Sequence, residues 1–360
     1  MTRSAAVALG YQGFGNVGDE AILAGIEELL RETPLDVRCV IAGDRAPVAA
    51  FSTADRVTQR RLLPSLAAAR ALRRASVLLV SGGGLIHDHW PIVIPRYLAW
   101  TITARLLGLR VAWVGVGVGP VRRSWARWLA AMTVRLAHVV TVRDQASAQL
   151  VLALVPASRV AVVPDPAFFL RQPLPSASRS GTAIIVRPPV PADARRAPVL
   201  AAALASLAAR RTSEGRPVTI LSMEAAHDDA FASEVADLAA AGGAARPKLE
   251  RLPLEPAAAL ARLATFEEAV SVRLHGLILC ALAGTPCVPI AYDDKVAGTA
   301  VQLGLAKVAV PLAQATGELL AERLAQAASG VMRATVGQAV ERLRGEAPRV
   351  RELIAAVADV

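Results

Sequence analysis

The segment from Ala269 to Lys295, AVSVRLHGLILCALAGTPCVPIAYDDK, restricts the fold more than any other stretch of the chain. Ala269–Val272 is a short apolar run without alternation, the pattern of a strand buried on both faces. It breaks at Arg273-Leu274-His275-Gly276. Leu277 to Ala283 then carries a helical pattern closed by Gly284, and a second apolar run, Pro286 to Tyr292, ends at Asp293-Asp294-Lys295. Strand, crossover helix and strand imply a parallel sheet. Both strands then point the same way, so Arg273, His275 and Lys295 are expected to emerge together in the crevice at the carboxyl ends of the strands.

That expectation puts three cationic or titratable groups, with Gly276, beside a helix N-terminus. Free N–H groups and partial positive charge there already favour an anion. Taken singly, Arg273 and Lys295 read better as solvated strand-end charges and His275 as a capping residue. Three on one face favour a site.

A chain of 360 residues exceeds one ordinary core, and about 150 residues per domain suggests two. Hydrophobic content of 54% and a mean hydropathy of +0.42 are high, but alanine supplies much of both. The most apolar region, Tyr97 to Gly119, is interrupted by Arg105 and Arg110, which argues against a membrane-spanning helix. The opening MTRSAAVALG is too short in its apolar run for a signal peptide, so the expected location is the cytoplasm. Cys39, Cys280 and Cys287 are isolated in apolar stretches and match neither a disulfide framework nor a zinc spacing. The 40 basic against 30 acidic residues, a net charge of +10, imply an anionic partner. With 4% aromatic residues and no basic block of a nucleic-acid module, nucleic acid is not expected. Anionic small substrates, anionic glycans or an inner membrane surface fit better.

Strands alternate with helices along the whole chain, the sign of open parallel sheets. In the first half they are expected at Ala5–Leu9, Val37–Ala42, Val77–Val80, Val111–Val118, Val139–Val142 and Val160–Val163. The second half restarts at Ala183–Val186 and continues with Val218–Leu221, Ala269–Val272, Val288–Tyr292 and Val308–Val310. RQPLPSASRSG, residues 171–181, reads as a linker. The expected fold class is α/β, with two Rossmann-like domains over residues 1–170 and 182–330 and a C-terminal helix over 331–360.

Three glycine-rich strand ends fall in the first half. After Leu9 comes Gly10-Tyr11-Gln12-Gly13-Phe14-Gly15-Asn16-Val17-Gly18-Asp19-Glu20, with Asp19 able to cap the helix that follows. Gly13, Gly15 and Gly18 spell GxGxxG after a strand, but no acidic ribose partner is well placed, so the dinucleotide signal is weak. Ser81-Gly82-Gly83-Gly84 and Gly115-Val116-Gly117-Val118-Gly119 end the next two strands. Each alone is a tight turn; three at one sheet edge suggest a cleft floor kept free of side chains. His87-Asp88-His89 lacks a plausible third ligand and is read as acceptor contact or loop packing, not metal. Arg143-Asp144 ends another strand and starts a helix, so it is also expected to point into the crevice between the domains; the alternative is a salt bridge or a helix cap through Asp144. Asp165-Pro166 is read as a structural turn.

GYQGFGNVGDEAIL, SGGGLIHD, VGVGVGPV, TVRD, PDPAF and SVRLHGLILCALAGTPCVPIAYDDKV, in this order over roughly residues 9–305, resemble the polysaccharide pyruvyl transferase family. The likeness is greatest to the bacterial branch that pyruvylates secondary cell-wall polysaccharide for S-layer anchoring. The resemblance implies two Rossmann-like domains facing a cleft in a GT-B-like arrangement. It also implies phosphoenolpyruvate as co-substrate with no cofactor, and a cell-wall glycan or lipid-linked oligosaccharide as acceptor. A lipid-linked acceptor makes the inner face of the plasma membrane a candidate surface for the +10 charge. It implies that Arg143, His275 and Lys295 are catalytic and, with Arg273 and Gly276, bind the donor. Gly13, Phe14, Gly15, Asn16, Asp19, Gly83, Gly84, His87 and Asp88 would face the acceptor. Ketal formation needs an acid/base group active near neutrality, for which His275 is the choice; Asp19 or Glu20 could deprotonate an acceptor hydroxyl, with helix capping the simpler account of them. A nucleotide-sugar glycosyltransferase, a dinucleotide oxidoreductase and a non-catalytic glycan-binding subunit are the competing readings.

Overall fold

The computed structural model describes residues 4–44, 51, 54–58, 62–172 and 178–358, apart from the side chains of residues 191 and 192. Part of the stretch read as a linker, residues 173–177, lies outside the described residues. The chain divides into two compact units. The first comprises Met1–Phe14, Gly18–Leu170 and Leu343–Val360, and the second Gly15–Val17 and Arg171–Arg342.

The first unit is built on β1 (Ser4–Leu9), β2 (Leu35–Ala42), β3 (Asp55–Thr58), β4 (Val77–Ile86), β5 (Arg110–Val118), β6 (Val139–Val142) and β7 (Val160–Val162). They form one sheet in the order β3-β2-β1-β4-β5-β6-β7, with every pairing parallel. Its helices are α1 (Val17–Leu30), α2 (Leu66–Arg73), α3 (Val93–Leu106), α4 (Ser124–Leu136) and α5 (Gln145–Leu154). The central strands are buried on both faces, which is why they read as unbroken apolar runs. Trp100 of α3 and Trp113 of β5 are fully buried in one cluster with residues of α2, α4 and α5. A fully buried apolar side chain of the same cluster, such as Leu72 or Leu78, stabilises the fold by about 1.5–3 kcal/mol.

The second unit has β8 (Thr182–Ile185), β9 (Val218–Ser222), β10 (Lys248–Arg251), β11 (Glu268–Ser271), β12 (Cys287–Ala291) and β13 (Val310–Pro311), in the order β10-β9-β8-β11-β12-β13. All of these pair in parallel. The helices that follow in sequence are α6 (Ala197–Ser213), α7 (Ala225–Ala241), α8 (Pro256–Leu263), α9 (Leu274–Leu282), α10 (Asp294–Gln302), α11 (Gly317–Ala327) and α12 (Gly330–Arg344). The last helix, α13 (Ala347–Ala355), belongs to the first unit. Arg351 there pairs with Glu32 at 2.7 Å, and Arg344 donates to the carbonyl of Phe168 at 2.9 Å.

Every strand expected from the sequence is present within a few residues, but two points differ. The glycine triplet Gly82–Gly84 is not a turn after a strand but lies inside β4, while Gly115–Val118 lies inside β5 as the expected strand Val111–Val118 has it. Without side chains these segments approach closely, since a Cβ on Gly82 would stand 3.1 Å from the carbonyl oxygens of Val114 and Gly115. The edge strands β3 (DRVT) and β10 (KLER) gave no apolar run to read because each is largely exposed.

Candidate functional site

In both sheets the strand order reverses direction at one point, between β1 and β4 in the first and between β8 and β11 in the second. Ligands of open α/β sheets bind outside the carboxyl ends of the strands at such a point. In the second unit those ends carry Arg187, two residues beyond β8, and Arg273, two beyond β11.

Arg273 departs from the expected open cation. It is 7% exposed and turned into the unit, where its Nε donates to Asp228 Oδ2 at 2.8 Å and its Nη2 to Glu224 Oε2 at 3.3 Å. Asp228, from α7, is fully buried and also accepts the backbone N–H groups of Met223 and Glu224, each at 2.9 Å. A buried guanidinium needs such a partner, because an uncompensated charge there is strongly destabilising. Burial alone lowers a guanidinium's proton affinity, but Asp228 and Glu224 outweigh it and keep Arg273 charged.

Arg273 is also the N-cap residue of α9, in extended conformation, and its side chain makes no capping hydrogen bond. The first turn of α9 therefore presents its amide end without the carboxylate or hydroxyl cap that Asp144 gives α5, Asp293 gives α10 and Thr316 gives α11. His275, half-buried, and Gly276 sit in that turn. Gly276 is there for contact: a Cβ would stand 2.4 Å from Ser271 Oγ and 2.9 Å from Ile185 Cγ2, so α9 packs directly on β8 and β11. Lys295 lies in the first turn of the next helix, α10.

Two residues of this edge were not anticipated from the sequence. Arg187 donates through Nη1 to the Tyr292 hydroxyl, and its guanidinium lies 5.3 Å from the centre of that ring. Burial pushes the Tyr292 phenol up, against the opposing pull of Arg187. Arg187 follows strand Ala183–Val186 as Arg273 follows Ala269–Val272, a signal that the repeated strand-end position could have given. Glu224 and Asp228 had no such signal, being 49 and 45 residues upstream of Arg273.

In the first unit the β1–α1 loop is fastened from beneath. The buried Gln12 side chain donates to the Ile41 carbonyl at 3.0 Å and accepts from Ser81 Oγ at 3.2 Å. The Gly13 N–H donates to Glu20 Oε1 at 2.6 Å. Glu20 is 3% exposed, and burial pushes its carboxyl up to about 7 despite that hydrogen bond. Asp19 is in the first turn of α1 rather than ahead of it, because the helix starts at Val17. Its carboxylate lies over Gly83, where φ is +94° and a Cβ would come within 2.9 Å of Asp19 Oδ1. Gly84 follows in β4. Above the loop Phe14 stacks on the exposed Tyr11, ring centres 4.6 Å apart, with the Arg96 guanidinium 5.5 Å from the Phe14 centre. Gly15 and Asn16 group with the second unit.

His87 and His89 have ring centres 5.1 Å apart. Asp88 between them accepts the backbone N–H groups of Arg122 and Arg123 at 2.7 and 2.8 Å, so it closes the start of α4. Burial works against its charge, but those two amides together with Arg123 and His89 hold it below the usual carboxylate range. Arg143, 6% exposed at the end of β6, donates to Asp165 Oδ2 at 2.9 Å. Asp144 caps α5 through the Ser147 N–H at 2.6 Å. Asp165 caps the turn at Ala167, at 3.1 Å. Among the described residues no three His, Cys, Asp or Glu side chains are grouped to hold a metal, and no helix is long and apolar enough to cross a membrane.

Solved structures agree on the fold. S. aureus MnaA in a co-structure with UDP matches with a TM-score of 0.58 at 11% identity, covering 97% of each chain. The UDP-GlcNAc 2-epimerase of Neisseria meningitidis bound to UDP-GlcNAc matches at 0.57 and 12%, over 96% of this chain and 99% of that one. A UDP-glucosyltransferase from Polygonum tinctorium matches at 0.55 and 12%, covering 99% of each. The architecture is GT-B-like. No curated protein sequence matches the chain. A family model described as polysaccharide pyruvyl transferase matches residues 16–294, most of both units, and the chain belongs to that family.

Proposed function

We propose that the protein transfers a pyruvyl group from phosphoenolpyruvate to two hydroxyls of one cell-wall glycan sugar, forming a pyruvate ketal and releasing phosphate. The acceptor in this reading is a lipid-linked precursor of the secondary cell-wall polysaccharide that anchors S-layer proteins. Such an acceptor puts the enzyme at the inner face of the plasma membrane. Family membership supports pyruvyl transfer to a polysaccharide.

One observation carries the choice of donor. The amide end of α9 has no side-chain cap, yet cationic or titratable groups, His275 and Lys295, occupy the first turns of α9 and α10. A cation at a helix N-terminus opposes the helix dipole by about 0.3–1 kcal/mol. An anion bound there reverses the sign. Phosphoenolpyruvate brings a phosphate and a carboxylate, and planar Arg187 suits one while Lys295 offers a compact charge to the other. Arg273 then acts from behind: held by Asp228, it fixes the start of α9. Arg143 keeps the donor role given by the family resemblance, oriented by Asp165.

The reaction balances without a cofactor. His275 delivers a proton to the methylene carbon, which becomes a methyl group, and one sugar hydroxyl adds at C2 and loses its proton. The bond from C2 to the phosphate oxygen breaks, and a second hydroxyl closes the ketal. Of the two hydroxyl protons, one matches the proton on the methyl group and the other leaves with phosphate. In the acceptor role, the Tyr11–Phe14 stack offers an aromatic face to a sugar ring, and Asp19 over Gly83 offers a carboxylate to its hydroxyls. Gly13, Gly15, Asn16, Gly84 and His87 complete that reading, with Asp88 supporting the loop.

The test is phosphate release from phosphoenolpyruvate in the presence of cell-wall glycan fragments. A folded His275→Ala variant is expected to be slower by about 100-fold or more. Wild-type-like release from that variant would sink the assignment.

A further inference from the structure

The excess positive charge is concentrated in one stretch. Between Asp55 and Asp144 the chain holds fourteen arginines, no lysine and a single carboxylate, Asp88; the rest carries slightly more acid than base. That one carboxylate is occupied with the Arg122 and Arg123 amides. The stretch supplies α2, α3 and α4, whose inward residues share one core cluster, so the three helices cover the same face of the first sheet.

Their outward side is apolar as well as basic. Trp128 is 63% exposed and Leu106 82%, with Trp90, Ile92 and Trp125 also exposed. On α4, Trp125, Trp128 and Arg135 follow one another at helical spacing along an exposed stripe. Asp88 holds the loop bearing Trp90 and Ile92 against the start of that helix. Arg70 and Arg73 on α2, and Arg122 and Arg123 just ahead of α4, are exposed as well.

We infer that this face of α2–α4 is a docking surface for an anionic lipid bilayer. Tryptophan settles at the boundary between headgroups and acyl chains, Leu and Ile enter the apolar layer, and arginine meets anionic headgroups. A nucleic acid would use the arginines but not Leu106 or Ile92. The inference deepens the proposed function by naming the surface that brings a lipid-linked acceptor within reach, and rests on it for that purpose only. Lipid binding itself is read without turnover.

The experiment is co-sedimentation of the full chain with vesicles of phosphatidylcholine alone or with about 30 mol% phosphatidylglycerol, at low and high salt. Pelleting is expected with the anionic vesicles only, weakened by salt. A Trp125→Ala/Trp128→Ala variant should bind about tenfold more weakly. Arg122→Gln/Arg135→Gln should lose about fivefold per charge. Leu238→Ser/Val301→Ser, exposed in the second unit, should bind as wild type does. An unchanged phosphoenolpyruvate-induced thermal shift in the tryptophan variant shows that fold and donor site are intact. Absence of vesicle binding, equal binding by the tryptophan variant, or tighter binding to a single-stranded oligonucleotide would overturn the inference. Vesicle binding without any donor shift in the wild type would sink the donor reading and leave this surface standing.

Discussion

Two buried carboxylates make different demands on the protein. Glu20 has its folded-state pKa raised to about 7 from an ordinary 4.5, so the folded state holds its proton where the unfolded chain has lost it. Its contribution to stability is therefore greatest at low pH and falls as pH rises from about 4.5 to about 7, then stays flat. Glu20→Gln, which can still accept the Gly13 N–H, should leave stability unchanged near pH 4 and raise it at pH 8 by about 1–3 kcal/mol. Urea unfolding of both proteins at the two pH values measures this; no gain at pH 8 would contradict it. Asp228 matters through its partner instead, since its ion pair makes the burial of Arg273 tolerable. Asp228→Asn should destabilise the fold by about 3–5 kcal/mol in the same assay, and a loss under about 1 kcal/mol would mean that Glu224 alone suffices.

At the scale of elements, α9 is the piece on which the donor reading depends, and its position is set by a missing side chain. Gly276→Ala would drive a methyl group into Ser271 and Ile185. It should cost about 1–3 kcal/mol of stability and displace the amide end enough to weaken donor binding. Gly284→Ala at the other end of the helix region, with φ +65° and only the end of Arg179 nearby, should cost stability alone. A donor-induced shift equal in wild type and Gly276→Ala would contradict this placement. The same elements show what a sequence can disclose. Apolar runs with β-branched residues marked the buried strands, including β11 and β12, because burial on both faces leaves no other pattern. The edge strands β3 and β10 escaped because exposed strands need no apolar residues. The glycines within β4 looked like a turn because a strand that must approach its neighbour closely and a turn both call for glycine.

For the whole molecule, the two sheets share one strand order, 3-2-1-4-5-6 in their own numbering, with an extra strand in the first. The alternation of strands and helices made the fold class legible, and parallel strand direction located the ends where chemistry gathers. Arg273, His275 and Lys295 do come at the carboxyl edge of one sheet, as strand direction required. What the sequence could not convey is which cation is already satisfied: Arg273 is neutralised by α7 residues far away in the chain, whereas Arg187 meets a phenol. The loop-packing reading of His87-Asp88-His89 holds for its aspartate, which closes the start of α4, a partner that the motif itself does not name. Local motifs report chemistry; the partners that consume it are set by tertiary contacts.

The central claim is that the anion met by this site is phosphoenolpyruvate, and thermal unfolding in its presence tests that without an acceptor. Binding to the native state raises the melting temperature by mass action. The account predicts a shift with phosphoenolpyruvate and none with a panel of nucleotide sugars, lost in folded Lys295→Ala and Arg143→Ala variants. A shift with a nucleotide sugar alone would contradict it and make the protein a glycosyltransferase.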